Sequence, residues 1–262
     1  MQKPTRSPLK DPPVRTPGQS IEEQRRKLID DRVITPLLAA GIFGTIAMQE
    51  WLRHFTPRPP MPWLFTGLFA ATVAFFIYRV IRTRRTLVRL KQARDGERAV
   101  GQYLERLRTD GYEVFHDVIG EGFNLDHVVI GPAGVFTIET KCYSKPASGP
   151  AEISFDGEKV AIGGWQPDRN PIIQARAQAG WLRALLRETT GRDFSIMPVI
   201  VYPGWFIKQN GRPKPPLWVL NPKALPQFMK HKEQVLGEPG IKLAAYHLSR
   251  FIRAQEREQK PN

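Results

Sequence analysis

Three charged residues lie where two neighbouring strands could bring them together. Two apolar stretches are joined by a Gly-Pro-Ala-Gly sequence, which predicts a hairpin of two strands and a turn. If Ile130 pairs with Val135, Asp126 lies across from Glu139, and such cross-strand partners have Cβ atoms about 4.5–5.5 Å apart. Two carboxylates at this spacing repel each other, and a divalent cation between them would remove the repulsion. Lys141 shares the face of Glu139 because strand side chains alternate. This pattern indicates metal-dependent phosphodiester chemistry, with the lysine holding a phosphate or orienting a water.

A solvated sheet face is the alternative explanation for the same charges, and an exposed ion pair contributes under about 1 kcal/mol. However, both strands carry apolar residues on both faces, which is typical of a covered sheet. Charges inside a covered sheet need a partner or a function, because burying them alone is costly. The strand composition therefore favours the functional interpretation. The apolar residues are Val128, Val129, Ile130, Val135, Phe136 and Ile138.

A series of short motifs around this hairpin resembles the NERD (nuclease-related) domain of the PD-(D/E)XK nuclease superfamily. The resemblance covers about residues 95–205, with a looser match to about 250. It implies an α/β fold with a restriction-endonuclease-like mixed sheet core flanked by helices. The loop that follows Lys141 departs from the Asn- and Gly-containing turn expected for the family, which affects substrate contacts more than the metal site. The motifs are Gly96-Glu97, Asp126-His127, Gly134-Val135-Phe136, Glu139-Thr140-Lys141 and Asn170-Pro171 with Gln174-Ala175.

The resemblance also implies a role for each site residue. Asp126 and Glu139 would bind Mg²⁺ or Mn²⁺, with waters completing the shell. Lys141 would position or help to deprotonate the attacking water, or stabilise the developing charge. Gln174 would border the metal site, although its amide could instead make a capping or sheet-edge hydrogen bond. Glu97 would be an accessory acidic residue, or it could favour a helix N-terminus through the helix dipole.

The motifs predict a membrane-anchored, metal-dependent nuclease that hydrolyses DNA or RNA. The alternative is a catalytically silent nucleic-acid- or protein-binding module tethered to the membrane, and a membrane scaffold is a third reading. A homodimer is a further implied partner, because related nucleases often act as dimers. The net charge of +14, from 39 Lys and Arg against 25 Asp and Glu, fits either a polyanion or an anionic membrane surface. The single cysteine, Cys142, excludes an intrachain disulfide and favours a packing role.

Two uncharged stretches, residues 33–49 and 59–78, predict a transmembrane hairpin whose spans are placed at 33–52 and 60–80. A buried helical hairpin of a soluble domain is the alternative. Arginines and lysines flank both outer ends, so the positive-inside rule places both termini and the nuclease-like domain in the cytoplasm. The expected organisation is a disordered basic tail (1–32), the hairpin (33–81), a basic juxtamembrane linker (82–94), the core domain (95–205) and a C-terminal extension packing on the core (206–262).

The elements that must position the site follow from periodicity and turn signals. An amphipathic helix is expected over 95–109, followed by the strand 112–118 and the hairpin. A second hairpin is predicted around Asp156-Gly157. Asn170-Pro171 predicts the start of a helix that runs to about Glu188. The continuous apolar run 196–202 predicts a buried parallel strand, which gives a right-handed crossover. A short strand near 218–220 and helices near 224–230 and 242–256 complete the prediction.

Overall fold

The computed structural model describes residues 15–55, 61–146 and 148–258. Residues 1–14 of the predicted basic tail and residues 56–60, in the connection within the predicted hairpin, therefore lie outside the described residues. The chain divides into two compact units. One contains residues 20–94, and the other joins the described residues up to Gln19 to those from Asp95 onward. The boundary between Arg94 and Asp95 lies at the same position as the start of the core domain expected from the sequence.

The unit of residues 20–94 is helical. Helix α1 (Gln19–Ile29) passes through a π-helical turn (Asp30–Ile34) into α2 (Thr35–His54), and α3 runs from Pro62 to Glu105. The prediction of a disordered tail through residue 32 is wrong for α1. Helix α1 has no buried residue, and its Glu22 accepts from Arg25 on the same helix and from Arg94 on α3. The predicted linker 82–94 lies inside α3.

Two helical segments of this chain, Gln19–His54 and Pro62–Asp110, are long and apolar enough to cross a membrane by length and composition. Many large apolar side chains on these helices are exposed. The two helices contact each other through Trp51, whose Nε1 donates to Thr66 Oγ1 at 2.9 Å and whose ring meets that of Trp63 edge-on. The exposed side chains include Leu37, Leu38, Ile42, Met48, Leu52, Trp63, Leu64, Phe75 and Ile77.

The other unit is a mixed α/β domain, as the sequence predicts. A five-stranded sheet has the order β1-β2-β3-β6-β8, in which β1 to β3 are antiparallel and β3, β6 and β8 are parallel. A three-stranded sheet has the order β5-β4-β7. The strands are β1 Glu113–Ile119, β2 Asn124–Gly131, β3 Gly134–Thr140, β4 Glu152–Phe155, β5 Val160–Ile162, β6 Ile196–Val201, β7 Phe206–Gln209 and β8 Trp218–Leu220.

Helices cover both faces of the larger sheet. The end of α3 and α5 (Leu225–His231) pack against one face around Phe136 and Val199. Helices α4 (Pro171–Thr190) and α6 (Glu238–Glu258) pack against the other around Val128 and Val135. Each fully buried Val, Leu, Ile or Phe side chain contributes about 1.5–3 kcal/mol, so these layers hold the sheet in place. Strands β7 and β8 and helix α6 come from the predicted C-terminal extension and complete the two sheets and the core.

Local signals fix the elements nearest the charged residues. The predicted pair of Ile130 and Val135 is confirmed, and Gly131 pairs with Gly134. Gly131 is required there because a Cβ would collide with the Tyr112 ring. Helix α4 starts as predicted, because the Asn170 side chain accepts the Ile172 N–H at 2.9 Å.

Candidate active site

Asp126 and Glu139 lie at the end of the β2–β3 ladder. The last ladder pair is His127 with Ile138, so the register continues to place Asp126 across from Glu139. Beyond that pair, Asp126 Oδ2 accepts the Thr140 backbone N–H at 2.6 Å. The Thr140 N–H is thus bonded to the Asp126 side chain and not to a backbone carbonyl of β2. Glu139 is buried, with 5% of its surface exposed.

Glu139 is the centre of a hydrogen-bonded network. Its Oε1 accepts from Lys141 Nζ at 2.7 Å and from Gln174 Nε2 at 2.7 Å. Lys141 Nζ also donates to Gln174 Oε1 at 2.9 Å. Glu139 Oε2 accepts from Gln178 Nε2 at 2.6 Å. The structure therefore brings three of the predicted site residues into direct contact.

Gln178 is a site residue that the sequence reasoning did not select. It lies one helical turn after Gln174 on α4, so both amides reach the same carboxylate. Its Nε2 also donates to the Asn124 carbonyl at 3.0 Å, which ties α4 to β2. The signal that pointed to it was its four-residue spacing from Gln174 on the face that carries the buried leucines.

Glu97 projects from α3 and is 6% exposed. It lies deep inside α3, which begins at Pro62, so the expectation that it favours a helix N-terminus is wrong. The Gly18 backbone N–H donates to its carboxylate. Burial, followed by the charges of Asp117 and Glu139, raises the Glu97 pKa to about 8. Glu97 is therefore within electrostatic reach of the Glu139 network.

The pKa values of Asp126 and Lys141 are both raised, but for different reasons. Burial, and then the charges of Glu139 and Glu97, raises the Asp126 pKa well above its usual value. Burial alone would lower the Lys141 pKa, but Glu139 and Asp126 outweigh burial and raise it. Lys141 is consequently an ammonium at neutral pH. It can hold a phosphate or stabilise negative charge, and it is poorly suited to take a proton from water.

Asp117 is a further acidic residue that the sequence reasoning missed. On β1, Asp117 lies between the residues of the ladder pairs His116–His127 and Val118–Leu125. It is therefore across from Asp126 on β2. Its φ of +51° is unusual for a residue other than glycine. Arg15 Nε donates to Asp117 Oδ2 at 2.8 Å, and both side chains are buried. The position opposite Asp126 was the available signal, but Arg15 is too distant in sequence to be paired with it.

The donor set fits a magnesium or manganese ion bound by two carboxylates. The described ranges contain no group of three or more His, Cys, Asp and Glu side chains that could hold a metal. Mg²⁺ usually keeps several waters and binds protein through only one or two carboxylates. Glu139 Oε2 accepts a single hydrogen bond, which leaves acceptor capacity, and Asp126 offers its Oδ1. Burial first, and then the charges of Glu139 and Glu97, raises the Asp126 pKa, and a bound cation would favour the ionised carboxylate.

Cys142 is a packing residue beside this site. A Cβ at position 96 would collide with the Cys142 Sγ, so the Gly96 of the Gly-Glu motif allows the close approach of α3 to the end of β3. Burial raises the pKa of the Cys142 thiol to about 12. The thiol is therefore protonated at neutral pH, which argues against a nucleophilic role.

A comparison with known protein families finds a match over the part of the chain that carries this site. The family model of the nuclease-related domain, NERD, matches residues 92–203. That range contains Glu97, Asp126, Glu139, Lys141 and Gln174. Searches of curated proteins and of solved structures give no match.

Proposed function

Because residues 92–203 match the model of the nuclease-related domain, a family of the PD-(D/E)XK-like nuclease superfamily, we propose that this chain is a metal-dependent nuclease. Its reaction is the hydrolysis of phosphodiester bonds in DNA or RNA. The observation that supports the proposal best is the direct contact of Glu139 with Lys141 and Gln174, next to Asp126. An acidic pair beside a protonated lysine is the chemistry that phosphodiester cleavage needs.

Each residue has a role that follows from its contacts. Asp126 and Glu139 would hold Mg²⁺ or Mn²⁺, which supplies Lewis-acid polarisation and a more acidic bound water. Gln174 and the Gln178 amide orient Glu139, because they donate to different oxygens of its carboxylate. Lys141 holds a phosphate oxygen and stabilises the charge that develops on it. Glu97 orients the attacking water from the helix side of the site.

The charge balance and the two apolar helices suggest where the reaction takes place. A net charge of +14 favours association with polyanions at moderate salt. We propose that the helical segments within Gln19–His54 and Pro62–Asp110 cross a membrane. The positive flanks then place both termini and the nuclease-related domain on the cytoplasmic side. Resistance of the full chain to extraction from membranes by alkaline carbonate tests the anchor, and complete release would contradict it. A homodimer stays a prediction.

The nuclease activity can be tested with the full chain in detergent. The described residues up to Gln19 belong to the same unit as the site, so a fragment that begins near residue 90 would remove part of that unit. Fluorescently labelled single-stranded and duplex DNA and RNA are incubated with Mg²⁺, Mn²⁺ or EDTA. We expect metal-dependent cutting that Asp126→Ala, Glu139→Ala and Lys141→Ala each abolish.

The control is Asp193→Ala, which removes a carboxylate from an exposed ion pair with Arg183 that is not part of the hydrogen-bonded network around Glu139. It should cut as the wild type does. Equal cutting by all five proteins would identify a contaminating nuclease and contradict the proposal. Salt-dependent binding of nucleic acid without metal-dependent turnover would select the binding module instead.

A further inference from the structure

An aromatic cluster begins two residues after Lys141. The Tyr143 ring stacks on Tyr202, with centroids 6.2 Å apart and planes inclined by 22°. Its other neighbour is Trp165, which meets it edge-on at 6.3 Å. Tyr143 and Lys141 also interact electrostatically. The three rings form a series that runs from the buried Tyr202 through Tyr143 to the exposed Trp165.

Trp165 is presented to solvent by a fixed backbone. Its side chain is the exposed end of the cluster, and 53% of the residue surface is accessible. Its N–H donates to the Ile162 carbonyl at 3.0 Å, and its carbonyl accepts the Ile162 N–H at 2.7 Å. The turn between them contains Gly163 and Gly164, both with positive φ. Two backbone hydrogen bonds thus hold the backbone of Trp165 in place at the end of β5, even though more than half of the residue surface is exposed.

The base of the cluster is fixed as well. Trp205 Nε1 donates to the Tyr143 carbonyl at 3.3 Å. Trp205 and Tyr202 are 3% and 0% exposed, so they anchor the loop after Lys141 to the core. Exposed cations flank the aromatic residues in sequence, Lys145 after Tyr143 and Arg169 after Trp165. An aromatic ring beside positive charge is the combination that binds single-stranded nucleic acid.

We propose that Trp165, supported by Tyr143, stacks against an unpaired base next to the phosphate that Lys141 holds. The inference rests on the proposed nuclease function and specifies its substrate class: single-stranded nucleic acid, or a frayed end of a duplex. In an intact duplex both faces of each base are covered by neighbouring bases. Trp165 can therefore reach a base face only where the strand is unpaired.

Binding of labelled oligonucleotides tests this directly. Fluorescence anisotropy is measured with the full chain in EDTA, so that binding is separated from cutting. Trp165→Ala should weaken binding of a single-stranded oligonucleotide about 5- to 150-fold, the range for loss of one stacked base. Trp165→Phe should retain most of the affinity, and binding of the blunt duplex of the same sequence should change less than about twofold.

The matched control is Phe206→Ala. Phe206 is 67% exposed on β7, at the opposite edge of the same three-stranded sheet from β5. The Phe206→Ala variant should bind the single-stranded oligonucleotide and the blunt duplex as the wild type does. Loss of duplex and single-strand affinity in equal proportion for Trp165→Ala would overturn the inference, because stacking on an unpaired base cannot produce it.

A second measurement separates stacking from general damage to the fold. The affinity is measured for a series of single-stranded oligonucleotides, each with one abasic nucleotide at a different position. One position should weaken wild-type binding but cause no further loss in Trp165→Ala, because the missing base and the missing ring remove the same contact. Additive losses at every position would refute the stacking contact. If the wild type cuts single strands and Trp165→Ala is indistinguishable from it, only this inference fails. If the wild type neither binds nor cuts, the proposed function fails.

Discussion

Glu97 is expected to destabilise the metal-free protein as the pH rises. Burial and the charges of Asp117 and Glu139 raise its pKa from 4.5 to about 8. Between these two values the folded state keeps a proton that the unfolded chain has lost, so stability falls as the pH increases through this window. Below pH 4.5 both states are protonated and the effect is absent. Glu97→Gln removes the ionisation but keeps an oxygen that accepts the Gly18 N–H.

The magnitude follows from the shift. A single carboxyl with pKa 4.5 unfolded and about 8 folded costs about 2 kcal/mol of unfolding free energy at pH 6 and about 4 kcal/mol at pH 8. We expect Glu97→Gln to recover these amounts. For a domain of this size each kcal/mol corresponds to about 2–4 °C in Tm, so the gain at pH 8 is about 8–16 °C. Mg²⁺ or Mn²⁺ should reduce the gain, because a bound cation favours the ionised carboxylates.

Thermal unfolding of the full chain in EDTA at pH 5, 6 and 8 measures this gain. Glu188→Gln, which changes an exposed glutamate on α4, is the control and should match the wild type at each pH. A Glu97→Gln Tm equal to that of the wild type at pH 8 would refute the electrostatic reasoning. So would a gain that is the same at pH 5 and pH 8.

Three further perturbations have defined outcomes. Arg15→Ala removes the guanidinium that pairs with the buried Asp117 carboxylate, so the unfolding free energy in urea should fall by about 3–5 kcal/mol, and Asp117→Asn in the same chain should restore part of it. His127 and His116 share a buried Nδ1–Nδ1 hydrogen bond, and burial lowers both pKa values. Stability should therefore fall below about pH 6.5, and a Tm series across pH 5–7 should show a smaller fall for His127→Phe. Gln178→Leu removes a donor to the Glu139 carboxylate and should weaken Mn²⁺ binding about 10- to 100-fold by calorimetry, while retained binding would contradict its positioning role.

Local sequence signals were sufficient for the elements that carry the site. The turn residues set the β2–β3 register, so the pairing of Ile130 with Val135 followed from chain geometry alone. Asn170 and the proline after it marked the start of α4, which placed Gln174 on the inward face. The apolar run of β6 indicated a buried parallel strand, and β6 does pair in parallel with β3. These features depend on contacts between residues that are close in sequence or on simple periodicity.

Contacts between distant segments could not be deduced in the same way. Arg15 and Asp117 are separated by 102 positions, and no periodicity relates them. Strand β7 (Phe206–Gln209) is short and largely exposed, so its sequence has no apolar pattern that would predict a strand. Its extended conformation is stabilised by pairing with β4, which is distant in sequence. The continuation of α3 from Pro62 to Glu105 was also missed, because its membrane-like and amphipathic stretches were treated as separate elements.

The central claim is that Asp126 and Glu139 bind one divalent cation beside Lys141. Isothermal titration of the full chain with Mn²⁺ tests it most directly. We predict one Mn²⁺ per chain for the wild type and for Asp193→Ala, and loss of that binding in both Asp126→Ala and Glu139→Ala. A wild type that binds no Mn²⁺, or alanine variants that bind it with unchanged affinity, would contradict the claim.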